Sequence, residues 1–337
     1  MKVVYVEKPR SIMIREAPIP HPGVGEVLLR VRAGGICGSD MQIYHGTNPQ
    51  AKYPRVIGHE FCGDVAEVGE SVAGFSLGDH VAVDPVTSCG FCYPCSIGRH
   101  NVCSNMEVFG VHKDGGFAEY VVVGEKNLHK IPSGWPFEKG ALVEPFTIAA
   151  NILSRTECTS SDRVLVLGAG PIGQVILQGV RRTGAVCAVA DIVDERLEKA
   201  LSMGADIAVN TRKTDLEGAM MEWTGGSGVP LIIDAAGASD LFPPMLRMAS
   251  PAGRIGLLSF SAASSDFVQL ETVKKELSIF GSRLNCSKFP EVISWFEEGS
   301  VKPESLVTHR FPFEQTEEAL KFMEENPAPI GKVMLEF

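Results

Sequence analysis

Long apolar runs are missing from this chain. No stretch approaches the roughly 20 consecutive apolar residues that cross a bilayer, so a membrane is not an expected partner. The segment Met1-Lys2-Val3-Val4-Tyr5-Val6 runs at once into Glu7, Lys8 and Pro9, without the apolar core and small-residue cleavage site of a secretory signal. The expected location is the cytoplasm. Positive charge is also in short supply. Lys and Arg number 31 against 41 Asp and Glu, a net charge of −10. Such a chain repels phosphate backbones, which disfavours a general nucleic-acid role, so no nucleic-acid partner is expected. Internal repeats and low-complexity linkers are lacking too.

What is present is an ordinary globular composition in 337 residues, 45% apolar and 21% charged. A single hydrophobic core stops growing before this length, so two domains are expected. The first third is rich in Gly, Val and Pro. Short runs such as Glu26–Val31 and His80–Val83, bounded by turn residues, predict an irregular, mostly antiparallel β domain. The texture changes near residue 146. The runs 164–167, 186–190, 231–233, 254–258 and 277–280 predict buried strands. They alternate with helical segments, as in a parallel sheet covered on both faces. Further helices are expected at 289–298 and 313–325, and a last strand at 331–335.

The run Gly168-Ala169-Gly170-Pro171-Ile172-Gly173 joins a predicted strand to a predicted helix, the context that gives G-x-G-x-x-G its value. Gly168 allows the tight turn, Gly170 close approach to a pyrophosphate, and Gly173 helix–strand packing. With Pro171 and Ile172 it opens a helix whose free N–H groups suit phosphate. Asp191 ends the next strand, where its carboxylate can accept from ribose hydroxyls and repel a 2′-phosphate. NAD is therefore expected over NADP. Arg196 stands close by, to flank the adenine or pair with an acid. Ala235, Leu258 and Ser259 end two later strands, at the sheet's carboxyl edge where nucleotides bind.

Nine cysteines in a reducing compartment read as metal ligands before disulfides. Cys89, Cys92, Cys95 and Cys103 follow C-x2-C-x2-C-x7-C, which can close a tetrahedral thiolate shell around a structural zinc. Cys37 and His59, each beside glycine, can hold a second zinc with an open position for chemistry.

The motifs GICGSD (35–40), GHEFCGDVAEVG (58–69), DGGFAEY (114–120) and GAGPIG (168–173), with the four-cysteine lobe, occur in a fixed order. Together they resemble the zinc-containing medium-chain dehydrogenase/reductase superfamily. The resemblance implies a GroES-like catalytic domain over 1–146 and a Rossmann NAD domain over 147–283. A return to the catalytic domain then follows over 284–337. It implies that Cys37, His59 and Glu144 surround a catalytic zinc with Glu60 close by, either glutamate serving as direct ligand. Zinc would acidify a substrate hydroxyl, and hydride would pass to the nicotinamide. Ser39 matches the family's relay hydroxyl. Many relatives place histidine three residues further on; here Gln42 stands there and cannot titrate, so His45 is the expected outlet for the proton. ALVEP (141–145) resembles polyol dehydrogenases. Other runs, among them KKELSIFGSRLN (274–285), resemble an RspB-like starvation-sensing and hexonate 5-dehydrogenase group. A sugar acid needs a cationic anchor, for which Arg283 comes first and Lys288 and His112 follow. The expectation is an oxidoreductase acting on a secondary hydroxyl of a sugar acid. Polyol or L-threonine oxidation is the alternative, and a non-catalytic NAD sensor a distant third. Two zincs per subunit and a homodimer or homotetramer are implied.

Overall fold

A computed structural model describes residues 1–337 apart from Ser261 and Pro329. The chain forms two units. One comprises 1–145, 286–294 and 303–337; the other comprises 146–285 and 295–302.

The first unit is built on a seven-stranded sheet. Its path runs Leu128–Lys130, His80–Val83, Glu60–Val68, Glu26–Ile36, Lys332–Glu336 and Val307–Pro312, with Tyr120–Gly124 also paired to Glu26–Ile36. Strand Glu26–Ile36 is the organiser, buried along most of its eleven residues. Val27, Leu29 and Val31 pack with Phe61, Val65, Val81 and Val123 in one core cluster. Irregularities in its pairing with Glu60–Val68 bend the strand near Leu28 and Val31, and such bulges re-aim side chains. The registers matter for function. Gly35 pairs with Glu60 and Ile36 with Val333, so the ends of three strands carry Cys37, Glu60 and Lys332 to one place. A small sheet of Ser11–Glu16, Lys2–Lys8 and Arg55–Val56 lies in the same unit. Helix Gly38–His45 interrupts the otherwise β-rich N-terminal region.

The second unit holds a six-stranded sheet in the order Ile207–Asn210, Val186–Asp191, Arg163–Leu167, Val229–Asp234, Ala249–Leu257, Ser278–Gly281. Every neighbouring pair is parallel. That is the doubly wound dinucleotide order, with its switch point beside the central strand Arg163–Leu167. Strands buried on both faces are apolar throughout: Val164, Leu165 and Val166 are fully buried. Helix Pro171–Thr183 starts with proline at its first position and ends on Gly184 at φ 86°, the arrangement that costs least at each end. The expected helix over 313–325 opens as a 3-10 turn at Phe313–Gln315, and the α-helix proper begins at Thr316.

Candidate metal and cofactor sites

Cys37 caps helix Gly38–His45, and its own N–H donates to Asp40 Oδ2 at 2.9 Å. The helix therefore turns the positive end of its dipole toward the sulfur. Asp40 is completely buried; its other oxygen accepts from the Gly58 N–H at 3.1 Å and stands 3.6 Å from His59 Nδ1. This carboxylate thus fixes both ligand-bearing segments. Gly58 has φ 94°, and a Cβ there would lie 2.2 Å from the Phe117 ring, so the turn that presents His59 needs glycine.

Donor atoms of Cys37, His59 and Glu60 lie within 4.8 Å of one another. Both oxygens of Glu60 accept from Lys332 Nζ at 2.7 Å, in an ion pair whose side chains are 1% and 3% exposed. Burial alone would pull the Lys332 amine down, but the Glu60 carboxylate outweighs it and holds the lysine above its usual range. Glu144, in the first turn of helix Val143–Arg155, is buried beside this group without joining it. Burial, then repulsion from Glu60, pushes the Glu144 carboxyl up to about 8, with His59 and Lys332 opposing. Burial disfavours the charged His59 imidazole, but the charges of Asp40 and Cys37 outweigh it and raise its pKa well above normal. A buried cluster holding this much anionic charge has the character of a cation site. One sulfur, one imidazole nitrogen and one carboxylate oxygen form a donor set suited to zinc with a fourth position open. Ser39 Oγ reaches His59 Nε2 at 3.3 Å, at the edge of the same cluster.

The four-cysteine lobe is equally well formed. Its sulfurs lie within 4.8 Å of one another, with Cys92–Cys95, Cys92–Cys103 and Cys89–Cys103 separations of 3.5, 3.6 and 3.4 Å. A tetrahedral zinc with bonds of about 2.3 Å needs sulfurs about 3.8 Å apart, so the cage is close to the size required. Backbone N–H groups of Ser104 and Cys95 lower the Cys92 thiol to about 6, toward the thiolate that binds metal.

In the second unit, a Cβ at Gly173 would sit 1.8 Å from Gly168 O, whereas one at Gly170 would meet nothing within 4 Å. The turn is thus tight behind and open in front, as an incoming pyrophosphate requires. Gly170 caps the helix, with Pro171 and Ile172 leading its first turn. Asp191 accepts from the N–H groups of Ala169, Ile192 and Val193 at 2.7, 2.7 and 3.0 Å, and Arg196 lies 3.9 Å away. Ala235 and Leu258 follow adjacent strand ends and are fastened there, Ala235 N–H to Leu167 O and Leu258 N–H to Asp234 O. Ser259 lines a cavity of about 140 Å³ with Asp234, Gly237 and Leu257.

The remaining expected site residues have local partners. His45 Nε2 lies in hydrogen-bond contact with Glu324 Oε1, and Gln42 is exposed on the same helix. Lys288 pairs with Glu291 at 2.8 Å, and His112 Nδ1 accepts from the Val108 N–H at 3.1 Å. Arg283 stacks its guanidinium over the Phe260 ring at 5.0 Å. Sequence reasoning missed Lys332 and the role of Asp40. A lone lysine heading an apolar strand, and an acid three residues after a capping cysteine, were the signals available.

Residues 23–133 match the family described as alcohol dehydrogenase GroES-like domain, and residues 171–298 match zinc-binding dehydrogenase. The starvation-sensing protein RspB of Escherichia coli K12 is 50% identical over 340 residues, covering 100% of this chain and 99% of that protein. This chain is a zinc-binding medium-chain dehydrogenase. L-galactonate-5-dehydrogenase of the same strain is 33% identical, covering 93% of this chain and 92% of its own length. The crystal structure of an alcohol dehydrogenase (rspB) from E. coli CFT073, complexed with NADH, superposes with a TM-score of 0.96. It is 48% identical and covers 100% of this chain and 99% of that one. Membership of this family gives the chain a zinc-dependent, NAD(P)-linked alcohol or polyol dehydrogenase chemistry. None of the described helices is long and apolar enough to cross a membrane.

Proposed function

We propose that this dehydrogenase oxidises a secondary hydroxyl of a sugar acid with NAD, or reduces the corresponding keto acid. The observation that carries the chemistry is the buried convergence of Cys37, His59 and Glu60 with Ser39 at its edge. Bound there, zinc would supply a Lewis acid that makes a substrate hydroxyl acidic, and NAD the hydride acceptor. Cys37, His59 and Glu60 are the proposed ligands. Glu60 has lone pairs to share between Lys332 and a metal. Glu144 is the second carboxylate of the site, and Asp40 orients His59. Ser39 takes the substrate's proton, and His45 with its partner Glu324 is the outlet in place of the exposed Gln42. The turn 168–173 with Asp191 and Arg196 receives the adenosine half of NAD. The strand ends at Ala235, Leu258 and Ser259 serve the rest. The cysteine lobe holds the structural zinc.

Arg283 is the proposed anchor for the substrate carboxylate, since a guanidinium grips a carboxylate with two parallel bonds. Similarity to L-galactonate-5-dehydrogenase supports the same substrate class. Lys288 and His112 fit that role less well, because Glu291 and Val108 already engage them. An NAD-reduction screen over hexonates, neutral polyols and L-threonine, with zinc content measured on the same sample, tests the reading. Turnover is expected with hexonates, and Arg283→Ala should raise KM for the hexonate at least tenfold while leaving a polyol nearly unaffected. Preference for a neutral polyol or threonine would replace the sugar-acid reading. No hydride transfer from any of them with both zincs bound would favour an NAD-sensing role.

A further inference from the structure

Cys286 belongs to neither metal cluster, yet it stands among metal-competent atoms. It opens the segment 286–294, with which the chain returns to the first unit. Its Sγ donates to Gly98 O at 2.9 Å and lies 3.6 Å from His100 Nδ1. Gly98 and His100 sit in the loop between Cys95 and Cys103, but neither they nor Cys286 form part of the four-thiolate cage. Two stretches of chain 186 residues apart thus bring a sulfur, an imidazole nitrogen and a carbonyl oxygen together.

The spacing suits a single ion. With a Zn–S bond of about 2.3 Å and a Zn–N bond of about 2.0–2.1 Å, a tetrahedral angle sets sulfur and nitrogen about 3.6 Å apart. The observed Cys286–His100 separation is the same, 3.6 Å. Hydrogen bonding alone is a weak reason to place a thiol here, since sulfur is a poor donor and a poor acceptor. The backbone on either side is also held out of its relaxed range, with Leu284 at φ 48° and Ser287 at φ 56°. Cys286 and His100 are half-buried and Gly98 is exposed, so an ion can enter and water can complete its shell. One thiolate and one imidazole select zinc over magnesium or calcium, which prefer oxygen. Two such ligands hold the ion more loosely than four thiolates do.

We propose that Cys286, His100 and the Gly98 carbonyl form a third, exchangeable zinc site, which fastens the return segment to the cysteine lobe when filled. The test uses the full-length protein with its catalytic and structural zincs bound, titrated with zinc chloride by calorimetry. A third equivalent should bind, at least tenfold more weakly in Cys286→Ser and in His100→Gln, while both variants keep the first two zincs by metal analysis. Magnesium chloride should give no such event. In the unmodified protein, the added zinc should slow iodoacetamide labelling of Cys286 several-fold by peptide mass spectrometry, and leave half-buried Cys158 labelled at its former rate. Absence of a third binding event overturns the proposal. So does a third zinc held equally well by Cys286→Ser, or labelling of Cys286 at an undiminished rate.

Discussion

At the scale of single residues, the pair Lys332–Glu60 decides the most. Two opposite charges out of water persist only because each satisfies the other, and removing one leaves the second stranded. Lys332→Met should therefore destabilise the metal-free protein by about 3–5 kcal/mol. Zinc should return much of that loss, because the metal supplies the missing positive charge beside Glu60. Thermal unfolding with and without a chelator measures both effects, and equal losses in the two conditions would contradict this account of the pair. The same residues mark the limit of reading a sequence. Cys37, His59, Cys89, Cys92 and Cys95 were legible because each sits in a short motif near glycine or proline, and Cys103 because it completes the four-cysteine spacing. Lys332 was not, because it meets Glu60 across 272 residues and the antiparallel pairing of its strand with Glu26–Ile36 brings it there. Asp40 stands in the GICGSD motif, but its role was not legible there, since its work lies in backbone contacts to Cys37 and Gly58.

At the scale of elements, period and punctuation carried the parallel sheet. Val164–Leu167, its glycine turn and helix Pro171–Thr183 follow from apolar length, glycine and proline alone. Helix Val143–Arg155 was hidden, because Pro145 reads as a breaker; in a first turn its missing N–H costs nothing. Strand Val307–Pro312 was hidden by its polar residues and terminal proline, which a position at the end of the sheet tolerates. One junction between elements has a measurable pH signature. His129 on strand Leu128–Lys130 stacks on Phe289 at 4.8 Å with the planes 12° apart, and burial lowers its pKa to about 4. The unfolded chain, with a histidine near 6.5, binds the extra proton first as pH falls. The contribution of this contact is present above pH 6.5 and is lost as pH drops toward about 4, by at most about 1.4 kcal/mol per pH unit. Melting temperature against pH should show a shallower acid slope in His129→Gln, and an identical slope would remove His129 as the cause.

At the scale of the whole molecule, the dinucleotide sheet ends on strand Ser278–Gly281, which pairs only with Ala249–Leu257 among the described residues. Ile279 is 38% exposed on it, and Leu270 and Val273 of the preceding helix are 62% and 72% exposed. An uncovered edge with apolar neighbours invites pairing with another strand. The expected outcome in sedimentation is a homodimer or homotetramer, with Ile279→Lys shifting the population toward monomer. A parent protein that sediments as a monomer at micromolar concentration would show that the edge stays solvated. Oligomeric state was not legible in composition, because exposure is a property of the folded surface.

The distance in sequence between Glu60 and Lys332 also has a consequence in time. At a ribosomal pace of about 5–20 residues per second, the carboxylate emerges tens of seconds before its lysine. Throughout the synthesis of the nucleotide-binding half, the nascent catalytic half carries an acidic cluster with no lysine to balance it. Any early metallation would then be driven by the naked carboxylates, and the arrival of the final strand would change the terms on which the ion is held.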